Sequence, residues 1–200
     1  MNSPLPKLDR PATVLAAAAL MFVAIAATDL RAETVLVAAD AGPRGASVAG
    51  NKVYRTVAAE VISQMKKARF KAIEPSDLPT QYLPKRRRPA ARDWKHVFER
   101  NRPPMDALVT ITVVNRVVRG QVANVSSIDL KAEIYRHGKR KPVTVIDIPA
   151  TKDAPMKAGC FGPCMMRILS ENVAKPAKQL GRQVVRGLQG KKIKKQRYGK

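Results

Sequence analysis

The chain is poor in several residue types, and each shortage removes a class of function. Aromatic residues make up 4% of its 200 positions, with one Trp, four Tyr and four Phe, and only Tyr82, Trp94 and Tyr198 stand near its basic segments. That is too few for a base-stacking platform of the kind that holds single-stranded nucleic acid. Histidine occurs twice, at 96 and 137, and cysteine twice, at 160 and 164. No zincin, nucleophile-elbow or paired-cysteine zinc pattern can be assembled from them. Acidic residues number 15 against 38 Lys and Arg, a formal charge of +23. Such an imbalance points to acidic partners and salt-sensitive association, and carries no information about fold. No apolar run approaches the roughly 20 residues that span a bilayer.

The longest apolar run, fourteen residues from Val14 to Ala27, follows Lys7 and Arg10 and precedes a short polar stretch ending at Ala32. A charged start, an apolar middle and a small-residue end form the pattern of a secretory signal peptide. Leu30 and Ala32 suit the positions before a cut and would leave Glu33 as the mature start, while the alanines around 24 to 27 offer other cuts. An uncleaved anchor or a buried core helix are the alternatives. No cysteine follows the run, so a lipid anchor on the mature amino terminus is not indicated. The expected organisation is a signal peptide over 1–32, a single α/β domain over 33–190 and a disordered basic tail over 191–200. Losing Lys7, Arg10 and Arg31 together with Asp9 and Asp29 changes the formal charge from +23 to +22. The mature protein is expected to be soluble and periplasmic or secreted, in a compartment where disulfides persist.

Along that domain, "ETVLVAAD" predicts a strand followed by the loop "AGPRGAS". Val53, Val57, Val61 and Met65 recur every four residues and predict an amphipathic helix over about 48–68. "RFKAIEPSDLP" predicts a second short strand stopped by Pro75, completing a parallel βαβ unit, whose crossover is nearly always right-handed. Prolines at 79, 84, 89, 103 and 104 mark an exposed basic loop, with a short helix over about 90–101 carrying Trp94, Val97 and Phe98. From Ala107 the period becomes two. Val109, Ile111, Val113 and Val117 share a face of one strand, and Ile128, Leu130, Ala132 and Ile134 a face of the next. "RHGKRK" is a hairpin turn and "PVTVIDIP" a third strand, so the three form an antiparallel meander. A stripe of Met165, Leu169, Val173, Ala177, Leu180, Val184 and Leu188 predicts a final helical element over about 164–189. Pro176 makes it a kinked helix or two helices meeting near Lys175. The fold class is therefore α/β (α+β): a βαβ unit and a three-stranded meander in one mixed sheet, packed by helices including a long C-terminal one.

That order of elements behind a signal peptide, and "VAAEVISQMKKARFKAIEPSDL" in particular, resembles the small α/β domain of envelope-assembly proteins. The group includes the amino-terminal domain of the TolB translocation protein, the periplasmic domain of the curli-export lipoprotein, and the lipoprotein activator of a penicillin-binding protein. The resemblance implies a fold and a broad envelope role, and no site residue. The chain departs from it in lacking a lipidation cysteine and in its basic charge.

Five stretches are candidates for chemistry. In "AGCFGPCMM", Cys160 and Cys164 flank a Gly- and Pro-containing bend. A structural disulfide at the entry to the last helix is the first reading. A redox-active pair is an alternative, since a helix amino terminus lowers thiol pKa values. A Cu(I) site of Cys160, Cys164, Met165 and Met166 is another, because thiolates and thioethers are the soft ligands that ion selects. In "DWKHVFER", Asp93, His96 and Glu99 share a helix face, as a solvated charged face or, alternatively, a proton relay or one side of a metal site. His137 reads as a turn residue. "GPRGAS" could offer backbone N–H groups to an anion, though it lacks the Gly-Lys-Ser/Thr ending of a Walker loop and is more simply a helix-entry loop. The basic clusters are Lys85, Arg86, Arg87 and Arg88, and Lys191, Lys192, Lys194, Lys195 and Arg197. The expectation is a non-enzymatic protein without a cofactor, binding an acidic envelope component (lipid phosphate, acidic glycan or acidic protein) through these cations. The alternatives are a thiol- or copper-handling protein, and a secreted binder of polyanions including nucleic acid.

Overall fold

The computed structural model describes residues 32–41, 51–100, 105–119, 124–149, 154–156, 160 and 162–193. The signal-peptide segment, the "GPRGAS" loop and the tail from Lys194 onward lie outside these described residues.

The chain folds as a mixed sheet covered by helices. Strand β1 (Thr34–Ala39) leads to helix α1 (Lys52–Lys67) and strand β2 (Lys71–Ile73). Two 3-10 turns (Pro75–Asp77 and Thr80–Tyr82) and helix α2 (Ala91–Arg100) follow. Strands β3 (Ala107–Arg119), β4 (Asn124–Arg136), β5 (Thr144–Ile148) and β6 (Ala154–Met156) precede helix α3 (Pro163–Leu188). The strand order is β2-β1-β3-β4-β5, with β6 also paired to β4. β1 runs parallel to both β2 and β3, and β3, β4 and β5 form the antiparallel meander.

The two faces of the sheet carry different cores, which is why β1 reads as an almost unbroken apolar run. Val35, Val37 and Ala39 point into a large cluster with Val109, Ile111, Ile128, Leu130 and Ile134, closed by Val57, Val61 and Met65 of α1 and by Leu169, Val173, Leu180 and Val184 of α3. Leu36 and Ala38 point the other way, into a smaller cluster with Leu108, Tyr135 and the Trp94, Val97 and Phe98 face of α2.

Helix ends follow local chemistry. Asn51 caps α1, its side-chain oxygen accepting from the Val53 N–H at 2.8 Å. At α3, Gly162 takes φ +54°, a conformation that glycine enters without a side-chain clash, and Pro163 follows at the first helical position. α3 continues as one helix through Pro176, which lies buried inside it, so the element is not two helices. α1 and α3 lie close enough that a Cβ on Gly181 would meet Val61 Cα at 3.1 Å. Strand β6 has no counterpart in the sequence reading. Its three residues pair with Asn124–Ser126, too short a stretch to show a period of two.

At one end of β1, Arg136 ties three elements together. Its guanidinium pairs with the Glu33 carboxylate and donates to the Leu188 carbonyl at 2.8 Å, capping the last turn of α3.

Candidate functional site: a basic loop on a fixed frame and the cleft beside it

The loop from Glu74 to Ala90 has little regular structure, yet it is fastened along its length. Asp77 accepts from the Glu74 N–H at 2.7 Å, closing the first 3-10 turn. Leu78 and Leu83 pack against the smaller core and hold the loop to the sheet. At its far end, the Ala41 N–H donates to the Pro89 carbonyl at 3.0 Å. The adjoining helix is seated by Asp40, which accepts from the Ala91 N–H at 2.8 Å and from the Thr112 hydroxyl at 3.0 Å. The Trp94 indole donates to the Ala39 carbonyl at 2.7 Å, and Asp93 accepts from the Ala90 N–H at 2.9 Å.

Lys85, Arg86, Arg87 and Arg88 form the stretch between those anchors, and all four are exposed. Arg86 reaches Asp93 at 3.9 Å with 61% of its side chain exposed. That is longer than a hydrogen bond, and so exposed a pair contributes little. Lys85, Arg87 and Arg88 have no ion-pair partner among the described residues. The cluster is thus a set of solvated cations presented by a tethered backbone.

Between the loop and α2 runs a cleft of about 450 Å³. Tyr82, Leu83, Lys85 and Arg86 line it from the loop, and His96 and Arg100 from the helix, with Asp93 and Val97 on the same helix face. Of the residues set aside as a solvated face, Asp93 has become a helix-capping group and His96 a cleft residue. Glu99 instead pairs with Lys95 at 3.5 Å. The shared face of Asp93 and His96 was legible in the sequence, whereas Arg100, which lines the cleft in place of Glu99, was not part of that reading. What the sequence did not show is the opposite wall, because the path of the loop depends on the long-range bonds to Ala41 and Asp40.

The second basic cluster lies elsewhere. Lys191 and Lys192 are exposed just beyond α3, beside Arg136 at the Glu33 end of β1, whereas the Lys85–Arg88 loop is tied to the Ala41 end. Ile193, within the segment read as tail, packs against the larger core. Lys194, Lys195 and Arg197 are outside the described residues.

Cys160 and Cys164 are joined in a disulfide with S–S 2.06 Å and Cα–Cα 5.5 Å, spanning the first turn of α3. Each thiolate is consumed by the other, so in this state neither is a ligand for Cu(I). Met165 and Met166 are half-buried against the larger core. Among the described residues, no group of three or more His, Cys, Asp or Glu is placed to hold a metal ion. His137 does more than turn the chain: its ring stacks on Phe98 at 4.0 Å and its Nε2 bonds the Met105 carbonyl. That contact joins the β4–β5 turn to α2.

A polar group on the α2 side of the sheet had no signal in the sequence. Lys131 reaches Glu133 at 2.7 Å, and the Tyr135 hydroxyl donates to the other carboxylate oxygen. Burial pushes the Glu133 carboxyl up, but these two bonds outweigh it and hold the carboxyl below its ordinary value. Burial and the same carboxylate push the Tyr135 phenol up.

No family model matches the chain, and no curated protein matches it. Several solved structures share parts of its arrangement. A Xanthomonas campestris protein of the DUF330 family matches with a TM-score of 0.46 at 11% identity, over 80% of this chain and 87% of that one. The lipoprotein GNA1162 from Neisseria meningitidis matches with a TM-score of 0.42 at 13% identity, over 73% and 98%. A minor lipoprotein from Acinetobacter baumannii matches with a TM-score of 0.39 at 7% identity, over 79% and 91%. Likeness of this degree establishes neither family nor function, so the function has to be argued from the chain itself. Among the described residues, no helix is long and apolar enough to cross a membrane.

Proposed function

We propose that the chain is an exported, non-enzymatic protein of the cell envelope that attaches to an acidic envelope component through its basic surface, chiefly the loop Lys85–Arg88. The observation that carries this reading is the four consecutive exposed cations, held between Leu83 and Pro89 by bonds that none of the four side chains makes. A loop whose cations served only to fold the chain would spend them on carboxylates, and here a single long contact to Asp93 is all they make. Lys191 and Lys192 add a second point of attachment. Export is supported by the charged and apolar start of the sequence, and the likeness to TolB and curli-export domains by the order of elements.

Fractionation of the native host, with mass spectrometry of the protein recovered, tests the export half. The expected product begins at Glu33 or a neighbouring residue and comes from the envelope fraction. An intact Met1 in the cytoplasmic fraction would overturn it. Retention of the purified domain on envelope extract at low salt, and its release at high salt, tests the attachment half. Indifference to salt would remove the basis for an electrostatic contact.

A further inference from the structure

The cleft between the basic loop and α2 has a composition that surface attachment alone does not require. Its walls carry three permanent cations, Lys85, Arg86 and Arg100, and the imidazole of His96, against one carboxylate, Asp93. That carboxylate already accepts from the Ala90 N–H at 2.9 Å and lies 3.9 Å from Arg86, so it fixes the helix start without neutralising the cleft. Lys85, His96 and Arg100 have no ion-pair partner among the described residues. Between the charged groups the lining is mostly apolar, with Leu83 and Val97, each also packed in the smaller core, Pro84 and the ring of Tyr82, and Gln81 adds one uncharged polar side chain. A volume of about 450 Å³ suits a compact small molecule.

We infer that this cleft binds a phosphomonoester carried on a small ring or apolar body. Two guanidinium groups match the tetrahedral oxygens of a phosphoryl group by paired hydrogen bonds, and a lysine adds a point charge. A net excess of two cations complements a dianion. The apolar strip takes the carrier. The phosphoryl group could arrive on a soluble sugar phosphate or on a lipid headgroup, and the two sources share this chemistry. The inference deepens the attachment reading, because Lys85 and Arg86 belong to both, but it makes a separate demand: recognition by the cleft in addition to attraction by charge.

Calorimetry with the disulfide-bonded domain, using phenyl phosphate, glycerol 3-phosphate and inorganic phosphate, tests it. Phenyl phosphate should bind in preference to inorganic phosphate, and backbone amides of residues 82, 83, 85 and 86 and of 93–100 should shift in NMR spectra. Arg86→Gln and Arg100→Gln should each weaken phenyl phosphate by about tenfold or more, the loss expected for a charged hydrogen bond. Lys175→Gln combined with Lys178→Gln, which removes two exposed charges from α3, should change it by less than about twofold at physiological salt. Trp94 fluorescence on unfolding verifies that each variant is folded. Vesicles containing phosphatidic acid, compared with phosphatidylglycerol vesicles of matched charge, distinguish the sources: selective binding assigns the lipid headgroup, and equal binding with retained phenyl phosphate affinity assigns the soluble ester. Absence of phosphomonoester binding, or equal weakening by the α3 substitutions, overturns the inference. Failure of the attachment reading is a different result, in which Arg87→Gln with Arg88→Gln leaves vesicle binding intact.

Discussion

Replacing Gly181 by alanine tests how α1 and α3 seat the larger core. A Cβ at this position would lie 2.8 Å from Gln64 Cγ, 3.1 Å from Gln64 Cβ and 3.1 Å from Val61 Cα. Gln64 cannot swing aside freely, because the close atoms are at the base of its side chain and its amide donates to Glu60 at 2.8 Å. Val61 offers backbone, so α1 itself has to retreat from α3. Such overpacking costs about 1–3 kcal/mol. Alanine is also a better helix former than glycine by about 1 kcal/mol, which opposes the loss. The balance is a destabilisation of up to about 2 kcal/mol, or a melting temperature lower by up to roughly 8 °C in a domain of this size. Urea unfolding followed by Trp94, the single tryptophan and 4% exposed, measures it. The midpoint should fall with the slope unchanged. Adding Gln64→Ala should recover only part of the loss, since the Cβ at 64 and Val61 Cα stay in place. A midpoint above that of the parent would refute the close approach and leave helix propensity as the controlling effect.

Three further outcomes follow from the described contacts. Cys160→Ser with Cys164→Ser frees a loop closed by residues four apart, so unfolding stability should drop by about 2 kcal/mol while attachment to anionic vesicles is kept; loss of attachment in a folded variant would give the pair a binding role. Glu133 is held below its ordinary value of 4.5 by Lys131 and Tyr135 in spite of burial, so its charge stabilises the fold above that pH and the contribution is lost as pH falls through the lower folded value. The stability difference between parent and Glu133→Gln should therefore be constant near about pH 6 and shrink below about 4.5; a difference independent of pH would mean that the Lys131 and Tyr135 contacts do not favour the charged form. Asp40→Asn should destabilise the domain by about 1–2 kcal/mol by weakening its bonds to the Ala91 N–H and the Thr112 hydroxyl, and amide exchange should quicken at residues 90–94; unchanged exchange would show that α2 is seated by Trp94 and Phe98 alone.

Most of the architecture was readable because each element has a strong local period. The four-residue recurrence of Val53, Val57, Val61 and Met65 gave α1, and the alternation through Val109, Ile111 and Val113 gave β3 together with the face it buries. β1 was legible as a strand, but not as one buried on both sides, since that depends on α2 crossing the opposite face. Pro176 left two readings open for the last helix. Packing of both its flanks on the sheet keeps the helix whole, and no local feature of the sequence reports that. The basic loop was visible as composition, while its anchoring was not: Ala41 and Pro89 are 48 positions apart, and only the folded chain brings them into contact. The cleft was partly legible, through the shared helix face of Asp93 and His96, while Arg100 and the other wall were not.

Co-sedimentation of the domain with anionic vesicles, compared with a variant carrying Lys85→Gln, Arg86→Gln, Arg87→Gln and Arg88→Gln, tests the central claim most directly. Each exposed cation near such a surface contributes about 1 kcal/mol, an attraction that fades beyond roughly 8 Å at physiological salt. Because no side chain of the four secures the loop, the variant should unfold at nearly the parent's midpoint. Its partition onto the vesicles should fall by at least about tenfold at low salt, with a weaker dependence on salt than the parent shows. Equal partition of the two proteins at every salt concentration would contradict the account, leave the loop as solubilising charge, and move the contact surface to the sheet or to the apolar faces of the helices.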